Sequence, residues 1–187
     1  MRLPKGYVGV DHVARGIGLL AVLGALRQPE QVLGAEQVQQ LRAVNPDEWY
    51  PIQSVLELMT VLDERVGRYG LIQMGRTLYP RTHLGRAQPK SVRQLVFGLN
   101  ESYLAGNRGS QIGGWKVLRF EPGQALLEKT TVHHCAMEQG VIMGALSAIG
   151  CEAEVEQMQC FRLGADACTF SITSGCSPEL WDAQTQA

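Results

Sequence analysis

The apolar residues of the first 85 positions recur mainly at helical spacing. The clearest apolar stripe begins after Pro51 and runs to Val66, where Gly67 predicts a break. Weaker helical patterns lie over residues 13–23, 31–44 and 71–79. The sequence therefore predicts a helical N-terminal region over residues 1–85.

The second region, residues 86–187, combines helical spacing with a period of two. Helices are predicted over residues 90–104 and 134–149, and strands over residues 115–120, 125–132, 152–163 and 167–173. The order helix, strand, strand, helix, strand, strand predicts an α+β fold, with a four-stranded antiparallel sheet packed on helices. The polar segment 81–89 marks the predicted boundary between the two regions.

Composition and charge restrict the classes of function. Hydrophobic residues make up 45% of the 187 residues and charged residues 19%, which argues against disorder. The formal net charge of −1 provides no global field for nucleic acid or an acidic membrane, so neither is an expected partner. No signal peptide and no apolar run of roughly 20 residues is visible, which predicts a cytoplasmic protein without a membrane span.

All five cysteines lie beyond residue 134. A turn centred on Gly164 would place Cys160 opposite Cys168, and Met158 opposite Phe170. Directly opposed β-carbons lie about 4.5–5.5 Å apart, which lets two sulfurs share one tetrahedral zinc ion. Cys135 is a candidate third ligand. Simple apolar burial and a Cys160–Cys168 redox disulfide are the alternatives, and Cys151 and Cys176 are expected to have no role.

Two further patterns concern residues 133–148. His133 and His134 directly precede Cys135, where they offer ligands for a metal or for haem, or simply hydrogen-bond the start of a helix.

Within that helix, small residues recur every four positions, at Ala136, Gly140, Gly144 and Ala148. Such a bare stripe indicates close backbone approach to a sheet, a partner helix or a flat ligand. Tight packing on the sheet is the favoured interpretation.

These motifs carry a family resemblance. The segment Cys135 to Gly140 and the pattern Gly164, Cys168, Phe170 resemble the 4-vinyl reductase family. Residues 49–79 are similar to the helical part that such domains share with haem-nitric-oxide-binding sensors and transport-particle (TRAPP) subunits. The resemblance covers roughly residues 45–174. It implies an often dimeric small-molecule-binding unit, with members among aromatic-effector sensors and proteins of tetrapyrrole metabolism.

The resemblance also implies a zinc site. Sensors of this family hold zinc with cysteines at positions matching Cys135, Cys160 and Cys168, and with a glutamate where this chain has Gln157. On an ideal strand, the neighbouring Glu156 would share the face of Cys160. Four alternatives follow: a bulge lets Gln157 ligate, Glu156 substitutes, His134 completes the site, or the metal has been lost.

The expected function is a stand-alone, homodimeric sensor or carrier for a small apolar, aromatic or tetrapyrrole ligand, with structural zinc. It would act through an effector protein in trans. The candidate ligand-binding residues are Phe97, Tyr103, Trp115 and Met143, together with His133 and His134. The alternatives are a haem-binding gas or redox sensor, a tetrapyrrole-processing protein related to vinyl reductases, and an assembly subunit. No catalytic motif is visible, so an enzyme is not favoured.

Overall fold

The computed structural model describes residues 2–82 and 89–182 and consists of helices packed around two antiparallel sheets. Its helices are α1 (Gly16–Ala25), α2 (Pro29–Leu33), α3 (Ala35–Arg42), α4 (Ile52–Thr82), α5 (Val92–Gly106), α6 (Cys135–Ala148) and α7 (Pro178–Trp181). Its strands are β1 (Val13–Arg15), β2 (Trp49–Pro51), β3 (Asn107–Arg108), β4 (Trp115–Glu121), β5 (Gln124–Lys129), β6 (Ala153–Gln159) and β7 (Cys168–Ser174). A 3-10 turn, Phe161–Leu163, follows β6.

The larger sheet has the strand order β4-β5-β7-β6, and every neighbouring pair is antiparallel. The predicted α+β class with a four-stranded antiparallel sheet is therefore confirmed. Alternation on β5 places Ala125 and Leu127 in the core with Phe170 and Ile172 of β7. Helices α5 and α6 cover this apolar face.

The smaller sheet has the order β2-β1-β3 and was not predicted from the sequence. Its strands contain only two or three residues, which is too short for a period of two to be visible. Backbone pairing of β1 with both β2 and β3 brings residues 107–108 beside the N-terminal segment. This pairing positions one wall of the candidate site.

The long helix α4 is interrupted at Gly67, as the sequence predicts. Gly67 has φ 63° and ψ −179°, a conformation that glycine adopts without the steric cost of a side chain. The second half of α4 continues to Thr82, past the end predicted at Pro80. Residues 83–88 lie outside the described residues, so the division into 1–85 and 86–187 stays a prediction. In the described part of the chain, no helix is both long and apolar enough to span a membrane.

The small-residue stripe of α6 packs on helix α4, not on the sheet. A Cβ atom added at Gly140 would overlap the carbonyl oxygen of Ile72 and lie 2.9 Å from the Cα of Gly75. Gly144 meets the backbone of Arg76 in the same way. The favoured packing of the stripe on the sheet is therefore wrong. Because α4 occupies the stripe, a flat ligand has no access to it in this arrangement.

Strand β6 contains a bulge that changes the predicted register. Gln157 pairs with Phe170 and Gln159 pairs with Thr169, so Met158 has no partner and is 57% exposed. The expectation that Met158 faces Phe170 is therefore wrong. An extra residue in one strand reverses the alternation of faces beyond it, and this reversal determines which side chain approaches Cys160.

The helix contact predicts a large cost for added volume at Gly140. Gly140→Ala should lower the free energy of unfolding by about 2–3 kcal/mol, because two backbones must separate to admit the methyl group. Gly98→Ala is the control, since its Cβ would meet nothing within 4 Å and alanine favours helix α5. Urea denaturation measures both values. Equal stability of the two variants would contradict the close α4–α6 approach.

Candidate functional site

The segment from Lys129 to Glu138 connects two features: a cluster of three cysteines on one side and a partly open cavity on the other. It contains the end of β5, a short link and the start of α6. The side chains of Lys129 and His134 are buried, and that of His133 is half-buried. The two features are described in turn.

Three cysteines from three different elements converge beside the larger sheet. The Sγ atom of Cys135, at the start of α6, lies 3.2 Å from Cys168 Sγ and 3.6 Å from Cys160 Sγ. All three sulfurs lie within 4.8 Å of one another. Cys135 and Cys168 are fully buried, and Cys160 is partly buried. The structure thus brings together the three cysteines that the sequence predicts as metal ligands.

A buried lysine lies directly beside this cluster. The Nζ atom of Lys129 donates a hydrogen bond to the carbonyl oxygen of His133 (2.7 Å), pairs with Glu138 Oε2 (2.8 Å) and lies 3.6 Å from Cys135 Sγ. These three acceptors match the three N–H donors of an ammonium group. Burial lowers the pKa of Lys129, while the cysteines oppose this shift. The site therefore combines a cationic side chain with thiols that can carry negative charge.

The thiols differ in their protonation. A hydrogen bond from Cys168 lowers the pKa of Cys135, and the Lys129 ammonium adds to this effect. The same hydrogen bond raises the pKa of Cys168, because Cys168 is the donor of the pair. Cys135 is thus the thiol in the cluster that most readily becomes a thiolate, the form that binds metals.

The bulge in β6 places Gln157, not Glu156, next to the cysteines. The Gln157 amide lowers the pKa of Cys135, its Oε1 atom accepts a hydrogen bond from Arg68 Nη1 (3.0 Å), and its Nε2 atom donates to the carbonyl oxygen of Gln159 (3.3 Å). Glu156 pairs with Ser171 and is exposed on the opposite face of the sheet. The expectation that Glu156 shares the face of Cys160 assumed an ideal strand, and the bulge at Met158 removes that relation.

The donor set suits a zinc ion. Zinc–sulfur bonds near 2.3 Å place tetrahedral sulfurs just under ~4 Å apart, and Cys135 Sγ lies 3.2 and 3.6 Å from the sulfurs of Cys168 and Cys160. Among residues 2–82 and 89–182, the group of possible metal ligands consists of these three cysteines, without His134 or Glu156. A fourth position would fall to the Gln157 amide or to a water molecule.

A cavity of about 240 Å³ lies on the other side of residues 129–138, between α1, α4, α5 and α6. Its walls are mainly apolar, with contributions from Ile17, Val22, Val55, Met59, Leu78, Leu99, Val141 and Ile142. The polar lining residues are Arg15, Ser102, Tyr103, Asn107, His133, His134 and Glu138. Apolar walls with a few convergent polar groups are typical of small-molecule sites.

A buried hydrogen-bond network fixes the state of His133. Asn107 Nδ2 donates to the carbonyl oxygen of Tyr103 (2.9 Å), so Asn107 Oδ1 faces the Nε2 atoms of His12 and His133, each at 3.0 Å. An amide oxygen only accepts, so both imidazoles carry their proton on Nε2. Tyr7 donates to His12 Nδ1 at 2.8 Å, which agrees with this tautomer.

The Nδ1 atom of His133 is consequently an available acceptor. It has no hydrogen-bond partner in the described part of the chain, and the His133 side chain lines the cavity. Burial lowers the pKa of His133 to about 3, with Lys129 and His12 acting in the same direction. A neutral imidazole can accept a hydrogen bond or bind a metal through this nitrogen.

His134 is held differently. Its Nδ1 atom accepts a hydrogen bond from the backbone N–H of Ala136 (3.3 Å), which makes it the N-cap of α6. The neutral ring then carries its proton on Nε2, which lies 3.2 Å from Asp63 Oδ2. Neither nitrogen of His134 therefore offers a free lone pair to a ligand.

The other predicted ligand-binding residues are distributed over the molecule. Tyr103 and Trp115 line the cavity together with His133 and His134. Phe97 is 52% exposed and packs on Phe120, and Met143 packs against the core beneath the larger sheet. The last two are not among the cavity-lining residues.

Sequence reasoning missed Asn107, His12 and Lys129. Asn107 lies in a segment predicted as a glycine-rich loop, and His12 is isolated in the sequence. Only the pairing of β1 with β3 brings these two residues together. In the sequence, Lys129 looks like an ordinary strand residue. Its position beside the cysteines follows only from its pairing with Cys168 of β7.

No family model and no curated protein matches this chain. Solved structures do match its fold. An H-NOX protein from S. oneidensis in the Fe(II)NO state has a TM-score of 0.66 at 14% identity, covering 87% of this chain and 99% of that chain. An unliganded Fe(II) H-NOX protein from K. algicida has a TM-score of 0.62 at 11% identity, covering 88% and 98%.

The chain therefore has the fold of haem-nitric-oxide-binding (H-NOX) domains. A third neighbour, studied for changes in haem redox potential caused by porphyrin distortion, has a TM-score of 0.63 at 15% identity and covers 87% of this chain and 95% of that chain. The predicted resemblance of the fold to that of haem-nitric-oxide-binding domains is confirmed. The narrower 4-vinyl reductase resemblance depends on the sequence motifs alone.

Proposed function

We propose that this chain is a sensor or carrier domain that binds a small, largely apolar molecule bearing one hydrogen-bond donor. The observation that carries the proposal is an apolar cavity lined by His133, whose Nε2 atom is bonded to Asn107 and whose Nδ1 atom is unprotonated. The ligand would lie between α1, α4, α5 and α6, with its polar group on His133. Supporting the proposal are the cavity, the fixed tautomer and the resemblance to aromatic-effector sensors.

The volume of the cavity limits the size of the ligand. An apolar cavity of about 150 Å³ holds benzene, and pockets for drug-sized ligands start at about 300 Å³. A cavity of about 240 Å³ falls between these values. A molecule with one ring and a few substituents fits this space.

The polar groups limit the chemistry of the ligand. His133 Nδ1 accepts but cannot donate, because the ring proton is on Nε2 and bonded to Asn107. The hydroxyl of Tyr103 already donates to the carbonyl oxygen of Ile112 at 2.8 Å. A ligand hydroxyl or amine that donates to His133 would satisfy a buried acceptor, and a pure hydrocarbon would leave it unpaired.

Two simple aromatic probes test this proposal. Phenol should bind at least about tenfold more tightly than toluene, a difference of about 1.4 kcal/mol, because only phenol donates a hydrogen bond. In His133→Phe the preference should disappear, while Phe97→Leu, outside the cavity, should retain it. Isothermal titration calorimetry measures the affinities, and circular dichroism verifies folding. Equal affinity of the unmodified protein for both probes would refute the assignment.

Haem is the second candidate ligand, favoured by the H-NOX fold neighbours and by the free Nδ1 of His133. His133 would hold the iron through Nδ1, and the cation in the cavity wall, Arg15, already forms an ion pair with Asp47. The cavity, however, is too small for haem, because a four-ring macrocycle needs more than about 240 Å³. The glycine stripe of α6 offers no further space, because α4 covers it. Bound haem would supply an iron centre for gases or electrons.

A spectroscopic titration separates the two candidates. We expect hemin to give no stoichiometric, sharp Soret band, because the macrocycle requires separation of α4 and α6. The measurement is made on the unmodified protein and on His133→Phe. A sharp band at one equivalent that is lost in His133→Phe would favour haem over the small ligand.

We further propose that Cys135, Cys160 and Cys168 hold a structural zinc ion. The separations of their sulfurs and the adjacent Lys129 support this, because three thiolates on Zn²⁺ give a net charge of −1 that a neighbouring ammonium offsets. Zinc would connect α6 to β7 and the end of β6. The ion would also favour the thiolate form of all three cysteines.

Metal analysis tests the zinc site. Protein purified without added zinc should contain about one equivalent, because a structural site stays filled. Cys168→Ser should lose most of the metal, and Cys176→Ser, which removes a cysteine outside the cluster, should retain it. A content below about a tenth of an equivalent in the unmodified protein would reject the site.

A homodimer and a separate effector protein are proposals that rest on the resemblance alone. The tetrapyrrole-processing alternative has weaker support, because hydride transfer needs a nicotinamide or flavin cofactor and no binding motif for one is visible in the sequence.

A further inference from the structure

The two cysteines outside the zinc cluster form a pair of their own. Cys151 lies between α6 and β6, and Cys176 lies between β7 and α7. Their Sγ atoms are 3.0 Å apart, closer than Cys135 Sγ is to the sulfurs of Cys168 (3.2 Å) and Cys160 (3.6 Å). A disulfide bond of about 2.05 Å therefore requires a movement of only about 1 Å. The sequence-based expectation that these cysteines have no role needs revision.

Ser174 contacts both cysteines and fixes their relative position. Its Oγ atom donates to the carbonyl oxygen of Glu152 (2.9 Å) and accepts from the backbone N–H of Cys176 (3.0 Å). The same Oγ lies 3.2 Å from Cys151 Sγ. On the other side, the backbone N–H of Cys151 donates to Leu146 (2.9 Å). Both cysteines are thus attached to ordered elements.

The two thiols differ in access to solvent. Cys151 is buried, while Cys176 is half-buried within a surface segment whose neighbours Gly175 and Ser177 are exposed. Burial raises the pKa of Cys151 to about 11, with the hydrogen bond to Cys176 adding to the shift. A reagent from solvent consequently meets Cys176 first, and Cys151 is in position to react second.

We propose that Cys151 and Cys176 form a redox-reactive thiol pair, which low-molecular-weight disulfides such as oxidised glutathione convert to an intramolecular disulfide. The Cys176 thiolate attacks one sulfur of the reagent, forms a mixed disulfide and releases one thiolate. Cys151 then loses its proton to solvent and attacks the Cys176 sulfur, which releases the second thiolate. The protein loses two protons and two electrons, which together equal two hydrogen atoms, and one reagent molecule becomes two thiols.

The new bond would fix the beginning of the C-terminal segment. Helix α7 is already held at its end, where Trp181 is buried and stacks on Phe120 with ring centroids 5.2 Å apart. Asp182 also forms an ion pair with Arg93 of α5. Oxidation would add a covalent link at Cys176, so that residues 176–182 are tied at both ends.

Disulfide mapping tests the pair. The protein is incubated with oxidised glutathione, and the reaction is quenched with acid. The remaining free thiols are then alkylated, and the chain is cleaved at Glu156 and Phe170. These cuts separate Cys151 from Cys160, and Cys168 from Cys176. We expect a mass loss of about 2 Da and one crosslinked peptide pair that contains Cys151 and Cys176.

Three variants make the test specific. Cys151→Ala and Cys176→Ser should each abolish the crosslink, and Val10→Ala, which changes an exposed side chain in the N-terminal segment, should form it at the same rate as the unmodified chain. Cys151→Ala should additionally retain one glutathione on Cys176, a result that does not depend on the stability of the crosslinked form. Three outcomes would overturn the proposal: no reaction, glutathione retained on Cys176 of the unmodified chain, or a crosslink confined to Cys135, Cys160 and Cys168.

Discussion

The close contact of α4 with α6 is the constraint on which the rest of the structure depends. Gly75 and Gly140 let the two backbones approach, and α6 is consequently buried on the α4 side as well as on the sheet side. A helix held in this way cannot shift without moving its first residues. Those residues include the His134 cap and Cys135, so the helix contact fixes both the sulfur cluster and the cavity wall.

Lys129 is the side chain that connects these two features. Its ammonium group reaches the carbonyl oxygen of His133, the carboxylate of Glu138 and the sulfur of Cys135. Glu138 and His133 line the cavity, whereas Cys135 belongs to the cluster. A buried charge is costly unless it is paired. Loss of negative charge on the thiols would therefore alter the Lys129 ammonium group, which contacts His133 and Glu138 in the cavity wall. This arrangement connects the cysteine cluster to the cavity wall through one buried side chain.

The sequence predicted much of the fold because its second half has clear periodicities. The elements now defined as α5, β4, β5, α6 and β7 appear close to their expected positions, and Cys135, Cys160 and Cys168 meet as expected. The pattern of apolar residues does not predict the bulge at Met158. Because of this bulge, Gln157 lies beside the cysteines, where an ideal strand would have placed Glu156. The pairing of Asn107 with His12 and His133 depends on strands of two or three residues and on long-range contact, which a local pattern cannot reveal.

The central claim is that a neutral His133 presents an unprotonated Nδ1 atom to a ligand in the cavity. Long-range ¹H–¹⁵N NMR of the histidine rings, with and without phenol, tests it directly. The account predicts an Nε2–H tautomer for His133 in the free protein, and a change in the Nδ1 chemical shift when phenol binds. A proton on Nδ1 in the free protein, or an Nδ1 signal that phenol leaves unchanged at saturation, would contradict it.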